Sequence, residues 1–148
     1  MSLIENKKAR LRFAILDEYV AGVELSGAEV KSLRGKRGSL EGARVIVRGG
    51  EAYLVGMTIP PYQVKNTPDT YDPERARRLL LSKKEIAELA DAEAKKGLTI
   101  VPLEVYNAGR YIKAKVAIAK GKGKADRRED LKRADANLEI ERAMRGKN

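Results

Sequence analysis

The chain of 148 residues contains no cysteine and no histidine. Without cysteine it can form no disulfide, offers no thiol nucleophile and builds no thiolate metal site. Without histidine it also lacks the commonest general base and the commonest transition-metal ligand. These absences disfavour an enzyme, and the sequence predicts no metal or other cofactor.

Long apolar runs are also missing, because no stretch approaches the ~20 residues that a membrane-spanning helix needs. The N-terminus is interrupted by charges at Glu5, Lys7, Lys8 and Arg10, where a signal peptide would be apolar. The sequence therefore predicts a soluble, cytoplasmic protein with no membrane partner.

Positive charge is abundant, since 31 Lys and Arg stand against 21 Asp and Glu, a formal net charge of +10. Such an excess favours a polyanionic partner, with nucleic acid ahead of a membrane surface. The length favours one folded domain over two.

Two helix starts are well signalled. The stretch from Val20 to Arg34 joins an extended apolar segment to a helix, whose start is marked by the capping box of Ser26 and Glu29. Ser82 and Glu85 repeat this spacing and predict a second helix, which should end at Gly97. A capping box identifies a helix and not an activity, so the local pattern favours a structural corner.

The remaining segments alternate between strands and turns. The period-2 pattern from Leu11 to Leu25 is typical of strands with one buried face, with a bend or bulge at Asp17-Glu18. Hairpin turns are predicted at Gly49-Gly50 and at 107–109, and Pro102 predicts an edge or a bulge. Residues 79–81 are interpreted as a buried strand, and 1–12 as a polar, basic arm.

This tally of roughly six strands and two helices predicts a mainly β protein with helices (α+β). The expected fold is a small closed antiparallel β-barrel of the oligonucleotide-binding (OB) type with packed helices, spanning residues 1–119. Residues 120–148 form a basic C-terminal tail with ten Lys and Arg against six Asp and Glu. We expect this tail to be disordered alone and helical when bound, an inert solvated tail being the alternative.

Two further kinds of site stay open. Asp69 and Asp72 could share a magnesium ion for phosphodiester cleavage, although a Pro-rich polar loop attracts acids for turn reasons alone, so a metal-dependent nuclease is a remote alternative. Tyrosines could stack bases, although such residues are more often part of the core. The tyrosines considered are Tyr53, Tyr62, Tyr71, Tyr106 and Tyr111.

Five blocks in a shared order resemble one family, small protein B (SmpB), the partner of transfer-messenger RNA (tmRNA) in bacterial trans-translation. The blocks span nearly the whole chain. They are N-K-K-A-R at 6–10, A-G at 21–22 with G-A-E-V-K-S-L-R at 27–34, D-P-E-R-A-R-R-L-L-L at 72–81, K-G-L-T-I-V-P-L at 96–103, and A-K-G-K at 119–122 with D-R-R-E at 126–129.

The resemblance implies an RNA-binding adaptor and not an enzyme. Its barrel would bind the tRNA-like domain of tmRNA, and its tail would fold in the empty mRNA channel of a stalled ribosome. Partners implied in this way are tmRNA, the decoding centre and rRNA of the small ribosomal subunit, and elongation factor Tu with aminoacylated tmRNA; a monomer is expected. The alternative is a general single-stranded or structured RNA-binding barrel without tmRNA specificity.

The resemblance, together with charge, also assigns site residues. Those predicted to bind RNA are Asn6, Lys7, Lys8, Arg10, Glu29, Lys31, Arg34, Lys36, Leu80 and Ser82. Those predicted for the ribosome-binding tail are Lys120, Lys122, Lys124, Asp126, Arg127, Arg128, Lys132 and Arg133. The chain departs from the family's usual residues at Leu11, Ser82 and Ala125, and each departure removes a stacking or hydrogen-bonding group.

Overall fold

The computed structural model of the protein describes residues 2–63, 65 and 67–121. All but one of the predicted tail residues, those from Lys122 to Arg133, therefore lie outside the described residues. The elements in chain order are β1 (Ser2–Glu5), α1 (Ala9–Arg12), β2 (Phe13–Val23), α2 (Gly27–Arg34), β3 (Arg44–Arg48), β4 (Glu51–Val55), β5 (Arg77–Leu80), α3 (Lys83–Ala94), β6 (Leu98–Ala108) and β7 (Tyr111–Gly121).

All seven strands belong to one antiparallel sheet in the order β1-β6-β7-β2-β5-β4-β3. The predicted α+β class with a dominant antiparallel sheet is confirmed. Strand β3 approaches β6 across the curled sheet, but within the described residues no ladder joins the edge strands β1 and β3. The sheet is open in this respect, and the predicted closed barrel is not confirmed.

Two hairpins organise the sheet. Gly49 and Gly50 link β3 to β4 with φ of 59° and 75°, the conformation that a two-residue turn between twisted strands requires. The β6–β7 turn lies at Gly109-Arg110, because Ala108 pairs with Tyr111. It is thus slightly further along the chain than the predicted turn.

The irregularity predicted at Pro102 is present, and the one predicted at Asp17-Glu18 lies slightly earlier in β2. The β2–β7 register shifts between Ile15 and Asp17, and the β6–β7 register shifts between Pro102 and Glu104. Each shift interrupts the regular pairing of two long strands, as a β-bulge does, and such interruptions locally increase the twist of a sheet.

Both predicted capping boxes are formed. At the start of α2 the Ser26 hydroxyl accepts from the Glu29 amide (3.3 Å), and the Glu29 carboxylate accepts from the Ser26 amide (2.8 Å). Ser82 and Glu85 do the same for α3. Helix α3 ends at Ala94, before the predicted Gly97, whose φ of 84° belongs to the turn that leads into β6.

The N-terminus is more ordered than the sequence predicted, because it forms β1 and α1. Leu3 and Ile4 enter the main apolar core, and β1 pairs with β6. Asn6 continues this pairing, since its amide donates to the Leu103 carbonyl (2.8 Å) and its Nδ2 to the Pro102 carbonyl (2.9 Å). None of the helices in the described part of the chain is long and apolar enough to span a membrane.

Candidate nucleic-acid interface

Glu29 lies in the interior and not on the predicted RNA surface, since only 1% of it is exposed. Its Oε1 accepts from the Ser26 amide and from Arg75 Nη2. Its Oε2 accepts from Arg77 Nε (2.9 Å) and Nη2 (2.8 Å). With both oxygens occupied inside the protein, Glu29 has a structural role, and its direct contact with RNA stays a prediction.

The surroundings of this carboxyl favour its ionised form. Burial by itself raises the pKa of Glu29, but hydrogen bonds from Arg75, the Ser26 amide and Arg77 outweigh that effect, so the pKa lies below its ordinary value. Arg77 is completely buried, and its other donors reach the Met57 carbonyl (2.6 Å) and the Pro73 carbonyl (2.9 Å). A fully hydrogen-bonded buried pair of this kind joins α2 to β5.

The exposed side of α2 carries two of the predicted RNA-binding cations, Lys31 and Arg34. Arg34 Nη2 donates to the Arg110 carbonyl (3.1 Å), which ties the end of α2 to the tip of the β6–β7 hairpin. Lys36 follows the helix in the left-handed conformation (φ 59°) and is exposed. The end of α2 and the loop after it therefore form a cationic edge.

A groove of about 430 Å³, here called the β5–β7 groove, lies beside this edge. Leu80 is half exposed in it (50%), and Tyr111 is the most exposed large apolar side chain (71%) of the described residues. Leu80 lies across Gly22, where a Cβ atom would be 3.3 Å from Leu80 Cβ, so a side chain at Gly22 would crowd it. The groove is lined by Gly22, Val23, Leu25, Val30, Leu80, Arg110, Tyr111, Ile112 and Lys113.

The groove and the cationic edge beside it, which includes Arg34, bring together residues that are far apart in the chain. Arg34 and Leu80 were predicted as RNA-binding, whereas Arg110, Tyr111 and Lys113 were not. An exposed tyrosine and leucine offer a surface on which bases stack, and the surrounding cations can bind phosphates. Sequence reasoning considered Tyr111 for base stacking but favoured the core, and its position next to the hairpin turn was the available signal for exposure.

The N-terminal cations form a second basic region around α1. Lys8 Nζ pairs with Glu41 (2.8 Å) and Arg10 Nη2 with Glu18 (3.0 Å), while Lys7 is exposed. The hydrogen bond and charge of Lys8 lower the pKa of Glu41. Asn6 bonds to Leu103 of β6, and this strand continues for five more residues, or about 17 Å, before it ends at the β6–β7 turn. This region is therefore distinct from the β5–β7 groove.

Ser82 and Lys120, the remaining predicted residues, lie in regular structure. The Ser82 hydroxyl accepts from the Glu85 amide (3.2 Å) and donates to Glu85 Oε1 (2.9 Å), so it caps α3 while remaining exposed. Lys120 is an exposed residue of β7, which pairs with β2 and β6 up to Gly121. The strand thus extends beyond the predicted tail boundary.

One of the two acids considered for a nuclease, Asp72, has a role in a turn. Asp72 Oδ1 accepts from the Glu74 amide (2.9 Å), as expected of an acid that stabilises a turn. Within residues 2–63, 65 and 67–121, no group of three or more acidic side chains is placed to hold a metal ion.

Comparison with known proteins assigns the chain to a family. Residues 3–146 match the family model described as SmpB protein. The chain belongs to the SmpB family.

SmpB relatives match over almost the whole chain. An SsrA-binding protein of Salinispora tropica is 49% identical over 144 residues, covering 96% of this chain and 90% of the relative. One from Gloeothece citriformis is 41% identical over 143 residues, covering 97% and 92%. A chain in the solved structure "tmRNA-SmpB: a journey to the center of the bacterial ribosome" is 38% identical with a TM-score of 0.70, covering 90% of this chain and 97% of that one.

Proposed function

We propose that this protein binds tmRNA, also called SsrA RNA, through its tRNA-like domain and delivers it to stalled ribosomes in trans-translation. The folded body binds the RNA, and the basic tail from Lys122 onward enters the empty mRNA channel next to the decoding centre. The unfinished nascent chain on the stalled ribosome is thereby tagged for degradation. The protein is an RNA-binding adaptor of the cytoplasm and requires no catalytic group. It acts as a monomer, and elongation factor Tu is a further partner.

The β5–β7 groove is the observation that carries this proposal. It places an exposed tyrosine and leucine beside Arg34, Arg110 and Lys113, and bases and phosphates can bind to these two kinds of surface at once. A folded RNA presents unstacked bases mainly in its loops, and proteins read such bases by stacking and hydrogen bonding. The groove therefore suits the loops of a tRNA-like domain better than a regular duplex.

The basic region around α1 offers a second contact with RNA. Its cations, Lys7, Lys8 and Arg10, lie apart from the β5–β7 groove. Two separate basic surfaces suit a protein that binds tmRNA and rRNA at the same time. The approach of β3 to β6 supports a barrel of the OB type as the body of the molecule.

A binding titration tests the specific function. The purified protein is titrated against the tRNA-like domain of tmRNA at several salt concentrations, with bulk tRNA and single-stranded RNA as competitors. We expect preferential binding to the tRNA-like domain, with an affinity that falls as salt rises because bound counterions are released. Equal affinity for all three RNAs would instead support a general RNA-binding protein, and metal-dependent cleavage during the titration would support a nuclease.

Truncation tests the division into body and tail. Ending the chain at Gly121 removes the tail and keeps β7 complete. We expect this variant to bind the tRNA-like domain within about twofold of the full chain and to support no tagging of stalled nascent chains in a reconstituted translation system. Loss of RNA binding by a folded truncated chain would contradict this division.

A further inference from the structure

A second aromatic site lies on the side of α2 that the β5–β7 groove does not use. Tyr62, in the loop after β4, is almost half exposed (46%). The Lys31 ammonium lies 5.8 Å from the centre of its ring. This exposed ring does not line the β5–β7 groove.

Three side chains hold the backbone at Tyr62 and just before it. Ser32 Oγ donates to the Pro60 carbonyl (2.7 Å), and Arg37 Nη1 donates to the Tyr62 carbonyl (3.4 Å). The Tyr71 hydroxyl donates to the Ile59 carbonyl (2.8 Å). The ring is therefore presented from a fixed position next to α2, which lowers the entropy lost when a ligand binds to it.

The end of α2 and the loop after it, which supply Lys31 and Arg37 to Tyr62, carry cations that have no acidic partner in the described part of the chain. Lys31, Arg34, Lys36 and Arg37 are all exposed, and none of them takes part in an ion pair within the described residues. Elsewhere several exposed cations, such as Lys8 and Arg10, are paired with carboxylates. Four unpaired cations in seven successive positions form a local anion-binding surface.

We propose that Tyr62 and Lys31 form a binding site for one unpaired nucleotide of RNA. The base stacks on the exposed ring of Tyr62, and Lys31 and Arg37 bind the adjoining phosphates. Every base has a face that can stack on a tyrosine, so the site accepts different bases, and the cations select a nucleic acid over an uncharged aromatic ligand.

The position of Lys31 allows its ammonium group to move from the Tyr62 ring to a phosphate of the RNA. At 5.8 Å from the ring centre it is near the outer limit of ~6 Å for a cation–π contact, so moving to a phosphate sacrifices little energy. Lys31 and Arg34 are three residues apart on one helix and hence neighbours on its surface. Because Arg34 contacts the hairpin beside the β5–β7 groove, the Tyr62 site extends the proposed interface across α2.

The inference rests on the proposed RNA-binding function and is tested with the full-length chain. The variants are Tyr62→Leu, which removes the ring, and Tyr62→Phe, which keeps it. The RNA is the tRNA-like domain of tmRNA, with bulk tRNA as a second probe. We expect Tyr62→Leu to weaken binding by about 5- to 150-fold and Tyr62→Phe to stay within about twofold.

Fluorescence provides a direct readout, because the chain contains no tryptophan. Tyr62→Trp introduces a single reporter, and Tyr53→Trp on β4 is the matched control. Stacking of a base on the new indole should quench its emission during the titration, with little change in the control. Unchanged affinity of Tyr62→Leu together with unchanged emission of Tyr62→Trp would overturn the inference.

The two proposals fail in different ways. If Tyr111→Leu weakens binding and Tyr62→Leu does not, the proposed function stands and the Tyr62 site is rejected. If the native chain binds both RNAs equally but Tyr62→Leu weakens both, tmRNA specificity is rejected and the nucleotide site stands. If the native chain binds neither RNA, both proposals are rejected.

Discussion

Near its N-terminus helix α2 buries the carboxylate of Glu29 against Arg75 and Arg77, whereas its C-terminal half exposes Lys31 and Arg34 to solvent. Both sets of charges belong to one short block of sequence. The buried carboxylate is paired with arginines of the protein itself, and its pair with Arg77 fixes α2 against β5. Within the part of the chain that the structure describes, the exposed cations have no carboxylate partner, so an anion can bind them. Within one helix, the charge of Glu29 thus positions α2, and the charges of Lys31 and Arg34 form part of its exposed surface.

The largest expected effect comes from breaking the buried pair. Glu29→Ala leaves the charge of Arg77 buried without its partner, so we expect the free energy of unfolding to fall by about 3–5 kcal/mol. Urea denaturation measures this change. The matched control is Glu24→Ala, which removes the exposed partner of Arg78 and should change stability by no more than about 1 kcal/mol. Equal effects of the two substitutions would show that the buried pair has no special role in stability.

The same pair should make stability depend on pH. Because the folded-state pKa of Glu29 is lowered, its stabilising contribution is complete above the unfolded pKa of about 4.3 and is lost as pH falls through the folded pKa. Glu29→Gln keeps a side chain that can cap the helix and carries no charge. The stability difference between the native chain and this variant should be constant above about pH 5 and should narrow below it.

Urea denaturation midpoints of the native chain and of Glu29→Gln, measured between pH 3 and 7, check this prediction.

The affinity of the same two proteins for the tRNA-like domain is measured at pH 7. We expect folded Glu29→Gln to bind with nearly native affinity, because the carboxylate does not face the groove. A large loss of RNA binding with unchanged stability would contradict a positioning role and restore the predicted direct contact.

A substitution on the exposed side of the interface should change the affinity for RNA and leave the unfolding free energy nearly unchanged. Tyr111→Leu removes a ring that is 71% exposed, so we expect the unfolding free energy to change by less than about 0.5 kcal/mol. Binding to the tRNA-like domain should weaken by about 1–3 kcal/mol, the usual contribution of one stacked base. Tyr111→Phe is the control that retains the ring. If Leu and Phe have the same effect on affinity, stacking in the groove is excluded.

The smallest expected effect concerns a single exposed cation. Arg34→Gln should lower the slope of log affinity against log salt by about 1, because one fewer phosphate contact releases one fewer counterion. Lys96→Gln, an exposed cation next to the α3–β6 turn, is the control and should leave the slope unchanged. Equal slopes for both variants and the native protein would place Arg34 outside the interface.

Local features of the fold were predictable because their signals lie within a few residues. The capping boxes at Ser26 and Ser82 and the turn at Gly49-Gly50 depend on neighbouring side chains and on backbone conformation, and all three are present. Strand β1 was missed because Leu3 and Ile4 gain their stability from β6, about a hundred residues away in the chain. The end of α3 was misplaced because Gly97 serves the following turn.

For the candidate interface, the chain's sequence was sufficient to indicate a polyanionic partner, the start of α2 and the family, since charge, capping and motif spacing are properties of the covalent chain. Which charges are buried was decided by packing. Glu29 and Arg77 lie 48 positions apart and meet only when α2 packs against β5. The same contact leaves Lys31 and Arg34 on the surface beside Tyr62 and Tyr111, because a helix that buries one face must expose the other.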